Sequence, residues 1–151
     1  MKSAKFKRID LQTLRIEGEA LFAPHYAEVG QKDMGDINPD WAFWADLEAV
    51  GKAWIIGIYA DDRLVGYSGF IVGPHAHYKH RLVAKNDVIF LLPEYRQGSL
   101  GLKLIGYSER ALGAMGCYKV YWRAKRGSVL ADLLTALCGE APEVCFERRL
   151  K

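Results

Sequence analysis

Residues 93–105 read PEYRQGSLGLKLI: a proline, an arginine and two glycines three apart, then apolar residues at helical spacing. That combination can bind an anion. The first turn of a helix has backbone N–H groups without intrahelical acceptors, and the macrodipole makes that end partly positive. Gly98 and Gly101 let a phosphate approach the main chain, and Arg96 adds a fixed cation. The same glycines also serve a plain reversal between strand and helix. The spacing excludes two other phosphate loops, since no Gly-Lys-Ser/Thr follows and no G-x-G-x-x-G is present.

A second candidate is a carboxylate. Asp87 interrupts the apolar run RLVAKNDVIFLL at 81–92, and strand alternation puts Asp87, Ile89 and Leu91 on one face. Burial there would raise its pKa towards the range of a general base; a backbone-bonded residue of an Asn-Asp turn is the other reading. Glu94, after Pro93, reads as a solvated turn residue. His75, His77 and His80 in PHAHYKH have no fourth ligand and no cysteine pair beside them, so no metal is expected, and a solvated hairpin loop bordering the site is the better reading. Cys138 near Asp132 lacks a histidine and reads as a core thiol. Trp41, Phe43 and Trp44 either pack the core or line an acceptor pocket.

The elements that must position these groups follow from periodicity. LQTLRIEGEALFAPHYAEV at 11–29 is a broken helical pattern punctuated by Pro24 and Gly30, and NPDWAFWADLEAVG at 38–51 is a helix with Asn38 as its cap and Gly51 at its end. AWIIGIYA at 53–60 and RLVGYSGFIVG at 63–73 form a hairpin around ADDR, and 81–92 is a third strand. After the glycine loop, Leu100, Leu104, Tyr107, Ala111 and Met115 mark a helix. A strand at 118–124, a helix at 128–139 and a last strand, EVCFERRL at 143–150, complete an α/β order.

A chain of 151 residues with a formal charge of +3 suits one domain spanning 1–151. Half of its residues are hydrophobic and a quarter charged, the mixture of a globular protein. Its basic residues are dispersed apart from KSAKFKR at 2–8 and RAKR at 123–126, so nucleic-acid binding has only thin support. Cys117, Cys138 and Cys145 are odd in number and unpaired in spacing, which suits buried free thiols in a reducing cytoplasm. Neither a signal-peptide pattern nor a run of about 18 apolar residues is present, so export and membrane insertion are not expected. An exposed edge at EVCFERRL would allow pairing across a two-fold axis into a homodimer.

Over residues 50–150 the chain resembles the GNAT (GCN5-related) N-acetyltransferases, and in particular their short bacteriophage type; the likeness is strongest in DVIFLLPEYRQGSLGLKLIGYSERALGAMG. The resemblance implies a mixed, twisted sheet of about six or seven strands with helices on both faces. It also implies acetyl-coenzyme A as acyl donor, held through a Q/R-x-x-G-x-G/A loop. Arg96 matches the leading position and Gly101 the last, while Ser99 replaces the usual middle glycine. Gln97, Gly98, Ser99, Leu100, Gly101 and Leu102 would supply the amide cradle, and Phe90 and Leu92 the backbone that pairs with the pantetheine arm.

The implied activity is acetyl transfer to a primary amine by direct attack, with Asp87 taking the amine's proton. The family's usual tyrosine in the last helix is absent from LLTALCGEAP, so the thiolate's proton would come from water, Ser128 or Tyr121, or need no dedicated acid. That departure keeps two rivals in view. One is a GNAT scaffold without acetylation activity that binds a host protein or nucleic acid, and the other is a modifier of DNA bases.

Overall fold

The computed structural model describes residues 3–151, so Met1 and the leading Lys2 of KSAKFKR lie outside the described residues. The chain divides into two compact units, one ending at Tyr121 and the other beginning at Trp122.

The first unit is built on a sheet of five strands in the order β1-β2-β3-β4-β5: β1 (Lys5–Ile9), β2 (Ala53–Ala60), β3 (Arg63–Pro74), β4 (Leu82–Leu91) and β5 (Lys119–Tyr121). Neighbours are antiparallel except β4 and β5, which are parallel and joined by α4 (Leu100–Ala114). Parallel neighbours need such a crossover, because a tight turn can only reverse the chain. The β2–β3 turn is one of these: Asp61 and Asp62 both take positive φ, as a two-residue hairpin turn with the sheet's twist demands.

Five strands stand where six or seven were expected, and two segments account for the difference in detail. KSAKFKR contains β1, whose basic residues are spent on the neighbouring strand: Lys7 lies over Tyr59 (4.2 Å) and Arg8 over Trp54 (3.9 Å). EVCFERRL forms no strand. An alternating pattern becomes a strand only where another strand answers its backbone groups, and Phe146 and Leu150 remain exposed at 87% and 88%. The homodimer edge inferred from that segment therefore loses its basis.

Helices cover both sheet faces. α1 (Leu11–Glu17), α2 (Glu19–Val29) and α3 (Trp41–Ala49) precede the hairpin. Gly18, rather than Pro24, separates α1 from α2; Pro24 lies within α2. Asp40, rather than Asn38, caps α3, accepting from the Phe43 N–H at 2.9 Å. Consecutive residues of β3 show the two layers, since Tyr67 reaches His25 of α2 while Ser68 reaches Ser108 of α4. On the first face Ile9, Leu14, Leu21, Ile55, Tyr67 and Phe90 form a core cluster. On the second, α4 buries Leu100, Leu104, Ile105, Ser108 and Leu112, with Tyr107, Ala111 and Met115 at the margin of that stripe.

The second unit contains α5 (Val129–Cys138), capped by Ser128, whose hydroxyl accepts from the Ala131 N–H at 3.1 Å. Cys138 and Cys145 are exposed and only Cys117 is partly covered, so the expectation of buried thiols fails for two of three. Cys138 is the last residue of its helix and Cys145 sits in the extended tail, where no apolar layer covers them. No helix among the described residues is long and apolar enough to cross a membrane.

Two buried polar pairs make the packing testable. The Ser68 and Ser108 hydroxyls lie 2.8 Å apart, both fully buried, and Ser108 donates onward to the Leu104 carbonyl. Ser108→Ala strands the Ser68 hydroxyl and should cost about 1–3 kcal/mol in urea denaturation. Replacing both serines by alanine should recover part of that loss; strictly additive losses would show that the hydroxyls do not act as a pair.

His25 is 2% exposed and its Nδ1 shares a 2.6 Å hydrogen bond with the Tyr67 hydroxyl. Burial, aided by the Arg96 charge and opposed by Glu28, lowers its pKa from 6.5 to about 4. Between those values the unfolded chain binds a proton that the folded chain refuses, so stability is full above about pH 6.5 and falls as pH drops towards 4. Over that window wild type should lose up to about 3 kcal/mol more than His25→Gln, read from urea midpoints at pH 7 and 4.5.

Candidate active site

The site begins where β4 loses a neighbour. β5 pairs with Val83, Ala84 and Lys85 only, whereas β3 runs beside β4 to Leu91. From residue 86 onward β4 has no strand on its β5 side among the described residues. Backbone groups along that edge are open to an extended ligand. The Leu92 N–H donates to the Val65 carbonyl at 2.9 Å, which sets the phase of the ladder. Alternation then aims the backbone groups of Phe90 and Leu92 at β3 and those of Ile89 and Leu91 at the open edge. Phe90 and Leu92, the residues expected to offer their backbone to the pantetheine arm, therefore face β3. Phe90 instead stacks its ring on His25, with centroids 4.8 Å apart, and Leu92 packs against the same cluster.

A bulge interrupts β4 at Asp87. Val88 opposes Gly69 and Asn86 opposes Phe70, so Asp87 is the extra residue. The buried Asn86 amide closes the defect by donating to the carbonyls of Gly69 (3.2 Å) and Val88 (2.9 Å). In a regular strand Asp87 and Val88 would face opposite ways, but here both line one cleft. Asp87 is exposed, where a buried carboxylate was expected; the bulge turns it into the cleft instead of the core.

The rest of the cleft comes from α1 to α3 and the sheet: Leu11, Leu14, Phe22, Tyr26, Pro39, Trp41, Trp44, Ile55, Tyr67 and Gly69. Trp41 and Trp44 thus take the pocket role, while Phe43 points away and is 47% exposed. Tyr26 senses the carboxylate, since burial first and the Asp87 charge second raise its pKa. Asn86, Tyr26, Tyr67 and Val88 escaped the sequence reading; the Asn-Asp pair in an apolar strand was the available signal of a bulge.

Beyond β4, Pro93–Tyr95 make one 3-10 turn and the chain enters α4 through Gln97, Gly98 and Ser99. Gly98 has φ +93°, a conformation other residues rarely adopt. The first intrahelical bond runs from Lys103 N–H to the Ser99 carbonyl (2.9 Å), so the N–H groups of Leu100, Gly101 and Leu102 precede the helical ladder. The Ser99 side chain makes no cap bond to them. A Cβ built at Gly98 or Gly101 would meet nothing within 4 Å, leaving clear space over these amides. That space and those donors fit a phosphate. Arg96 is committed elsewhere: its Nη2 bridges both Glu28 oxygens (2.7 and 2.9 Å) and its Nε donates to the Leu91 carbonyl (2.7 Å). It pins the loop to α2 and to the end of β4.

Other candidates stand apart from this arrangement. Glu94 is exposed beside a second, more open cleft that includes Glu17 and Asp62. The His75 Nδ1 accepts from the His77 N–H (3.1 Å), and among the described residues no three His, Cys, Asp or Glu side chains form a metal-binding group. Tyr121 ends β5 at 37% exposure. The Ser128 hydroxyl donates to the Lys125 carbonyl (2.7 Å) while it caps α5.

Comparison with known proteins agrees with this architecture. Ribosomal-protein-alanine N-acetyltransferase from Brucella melitensis biovar Abortus 2308 superposes with a TM-score of 0.73 at 17% identity, covering 99% of this chain and 100% of that one. An aminoglycoside acetyltransferase from an uncultured soil metagenomic sample gives 0.76 at 18% identity, covering 98% and 97%. AAC(6')-Iy in complex with the bisubstrate analogue CoA-S-monomethyl-acetylneamine gives 0.70 at 18% identity, covering 99% of each chain. At such identities the likeness is one of fold. A search of curated protein sequences found no match. Residues 17–131, which contain the bulge, the glycine loop and all of the cleft lining but Leu11 and Leu14, match the model of the acetyltransferase (GNAT) family, and the chain belongs to that family.

Proposed function

We propose that this protein transfers an acetyl group from acetyl-coenzyme A to a primary amine by direct attack. One observation carries the reading: the bulge sets Asp87 in the cleft on the same strand whose free edge leads to the α4 amides. Acceptor and donor would meet at β4. The amides around Gln97 to Leu102 would hold the pyrophosphate, and the backbone of Ile89 with the N–H of Leu91, whose carbonyl is held by Arg96, would pair with the pantetheine arm. Arg96 supports that loop through Glu28.

Asp87 would take a proton from the ammonium, directly or through the water its exposure admits. The freed nitrogen attacks the thioester carbonyl, the C–N bond forms, and the C–S bond breaks to release the coenzyme thiolate. With the Ser128 proton engaged by Lys125, water is the simplest source of the thiolate's proton. We retain the single-domain assignment for 1–151, which the length of chain shared with whole GNAT enzymes supports. The donor-loop sequence supports placing the protein with the short bacteriophage type. The three free cysteines suit a reducing cytoplasm.

Gly101→Glu tests the donor site. The new side chain enters open space and glutamate is the better helix former, so the fold should persist by circular dichroism. Calorimetric affinity for acetyl-coenzyme A should nevertheless fall at least about a hundredfold, because a carboxylate would stand where the phosphates sit. Unchanged affinity would remove the loop from the donor site.

Asp87→Asn keeps the size of the side chain and the bulge. It should lower kcat by about 10²–10⁴ with acetyl-coenzyme A affinity intact, and the residual rate should rise with pH as free amine accumulates. A variant with wild-type kcat would exclude Asp87 as the base.

A further inference from the structure

We infer that the end of the sheet where β3 turns into β4, beside β5, binds single-stranded nucleic acid, a function separate from acetyl transfer. Between the two strands the chain reads HAHYKHR at 75–81. The loop is closed on itself: the His75 N–H donates to the Arg81 carbonyl (2.9 Å), the Tyr78 N–H to the His75 carbonyl (3.1 Å) and the Arg81 N–H to the Tyr78 carbonyl (2.8 Å). With these backbone groups engaged inside the loop, side chains are what it offers, and those from Ala76 to Arg81 are exposed.

β5 brings a second row alongside. The Tyr118 N–H donates to the Leu82 carbonyl (2.8 Å), and Lys119 and Tyr121 oppose Val83 and Lys85 in the parallel pairing. Residues two apart on a strand share a face, so Lys119 and Tyr121 project together, with Lys85 beside them. Rings join the two rows. The Arg81 guanidinium lies over Tyr118 at 3.9 Å, and the His75 ring centroid stands 5.0 Å from that of Tyr78 and 6.4 Å from that of Tyr121.

Two properties of this surface select the partner. Its charge has one sign: the segments that build it, 73–86 and 115–121, contain no Asp or Glu, and the next acid along β4, Asp87, is turned into the cleft by the bulge. A polyanion is favoured. Its rings also face solvent, Tyr78 at 60% and Tyr118 at 64% exposure. Tyrosines seated among lysine and arginine give bases a stacking platform while the cations follow the phosphates. A duplex keeps its bases stacked on one another and an acidic peptide has none, so either would use the charges and leave the rings idle.

The test is fluorescence anisotropy of labelled oligo(dT) and oligo(U), each of about a dozen nucleotides, titrated with the intact chain in the absence of acetyl-coenzyme A. Its outcome is thereby independent of the transfer reading. At least one of the two should bind, and at least about tenfold more tightly than the matching duplex or polyglutamate added as competitor. Affinity should fall about tenfold to twentyfold between about 50 and about 200 mM salt, as counterion release from roughly three phosphates requires. Tyr118→Ala should weaken binding about tenfold and Tyr118→Phe should restore it, because a phenyl face stacks as a phenol does. Lys79→Glu should weaken it by a similar factor, and both exposed positions should leave the circular dichroism spectrum unchanged. Gly101→Glu, which blocks the α4 amides, should leave oligonucleotide affinity as it is. Absence of binding at the lower salt, equal affinity for duplex or polyglutamate, or a Tyr118→Ala variant indistinguishable from wild type would overturn the inference. So would loss of binding in Gly101→Glu, which would place the phosphates at the start of α4 instead.

Discussion

Asn86 donates its amide to the carbonyls of Gly69 and Val88, and the geometry of the site depends on those two bonds. A bulge in a central strand leaves a ladder carbonyl without its N–H, and a buried carbonyl without a donor costs about 1–3 kcal/mol. The side-chain amide supplies the missing donor from within the same strand. With the bulge stabilised, Asp87 leaves the alternation and turns into the cleft beside Val88. The strand also ends its pairing with β5 one residue before Asn86, so the kink and the opening of the sheet edge coincide.

The helical layer fixes the other side of the cleft through contacts that join distant parts of the chain. Glu48 of α3 accepts from the first N–H of α1, and His25 of α2 holds Tyr67 of β3. Glu28, one turn further along α2, grips Arg96 beyond the end of β4. α2 therefore touches both the cleft wall and the loop that enters α4, and a shift of that helix would be felt at both. The Arg96–Glu28 pair is about two-fifths exposed on each side chain, so its main contribution is orientation of the loop rather than stability.

Much of this was legible from the residues because local rules decided it. The hairpin around Asp61–Asp62, the helix that starts at Leu100 and the extent of β2 follow from turn chemistry and from periods of two and 3.6. The α4 donors were legible for the same reason, since every helix start exposes its first amides. Errors came where a local pattern lacked a partner or found an unexpected one. EVCFERRL alternates as a strand does but no strand pairs with it, while KSAKFKR reads as a charge run yet carries β1. Arg96 was legible as a cation beside a phosphate loop, but only the folded chain brings Glu28 to it across 68 positions.

The sequence by itself determined the α/β order, the strand-to-helix loop with Gly98 and Gly101, and the presence of one carboxylate in an apolar strand. Those are properties of neighbours along the chain, settled by backbone sterics and short-range periodicity. Tertiary structure decided which way Asp87 points, which of Phe90, Leu92, Ile89 and Leu91 turn their backbone towards the open edge, and which helix starts find a distant carboxylate. Each of these depends on a hydrogen bond between residues far apart in sequence: Leu92 to Val65 sets the ladder's phase, Asn86 to Gly69 holds the bulge, and Leu11 to Glu48 occupies a carboxylate. A one-residue change of phase reverses the direction of every group on a strand, and nothing local to the strand fixes that phase.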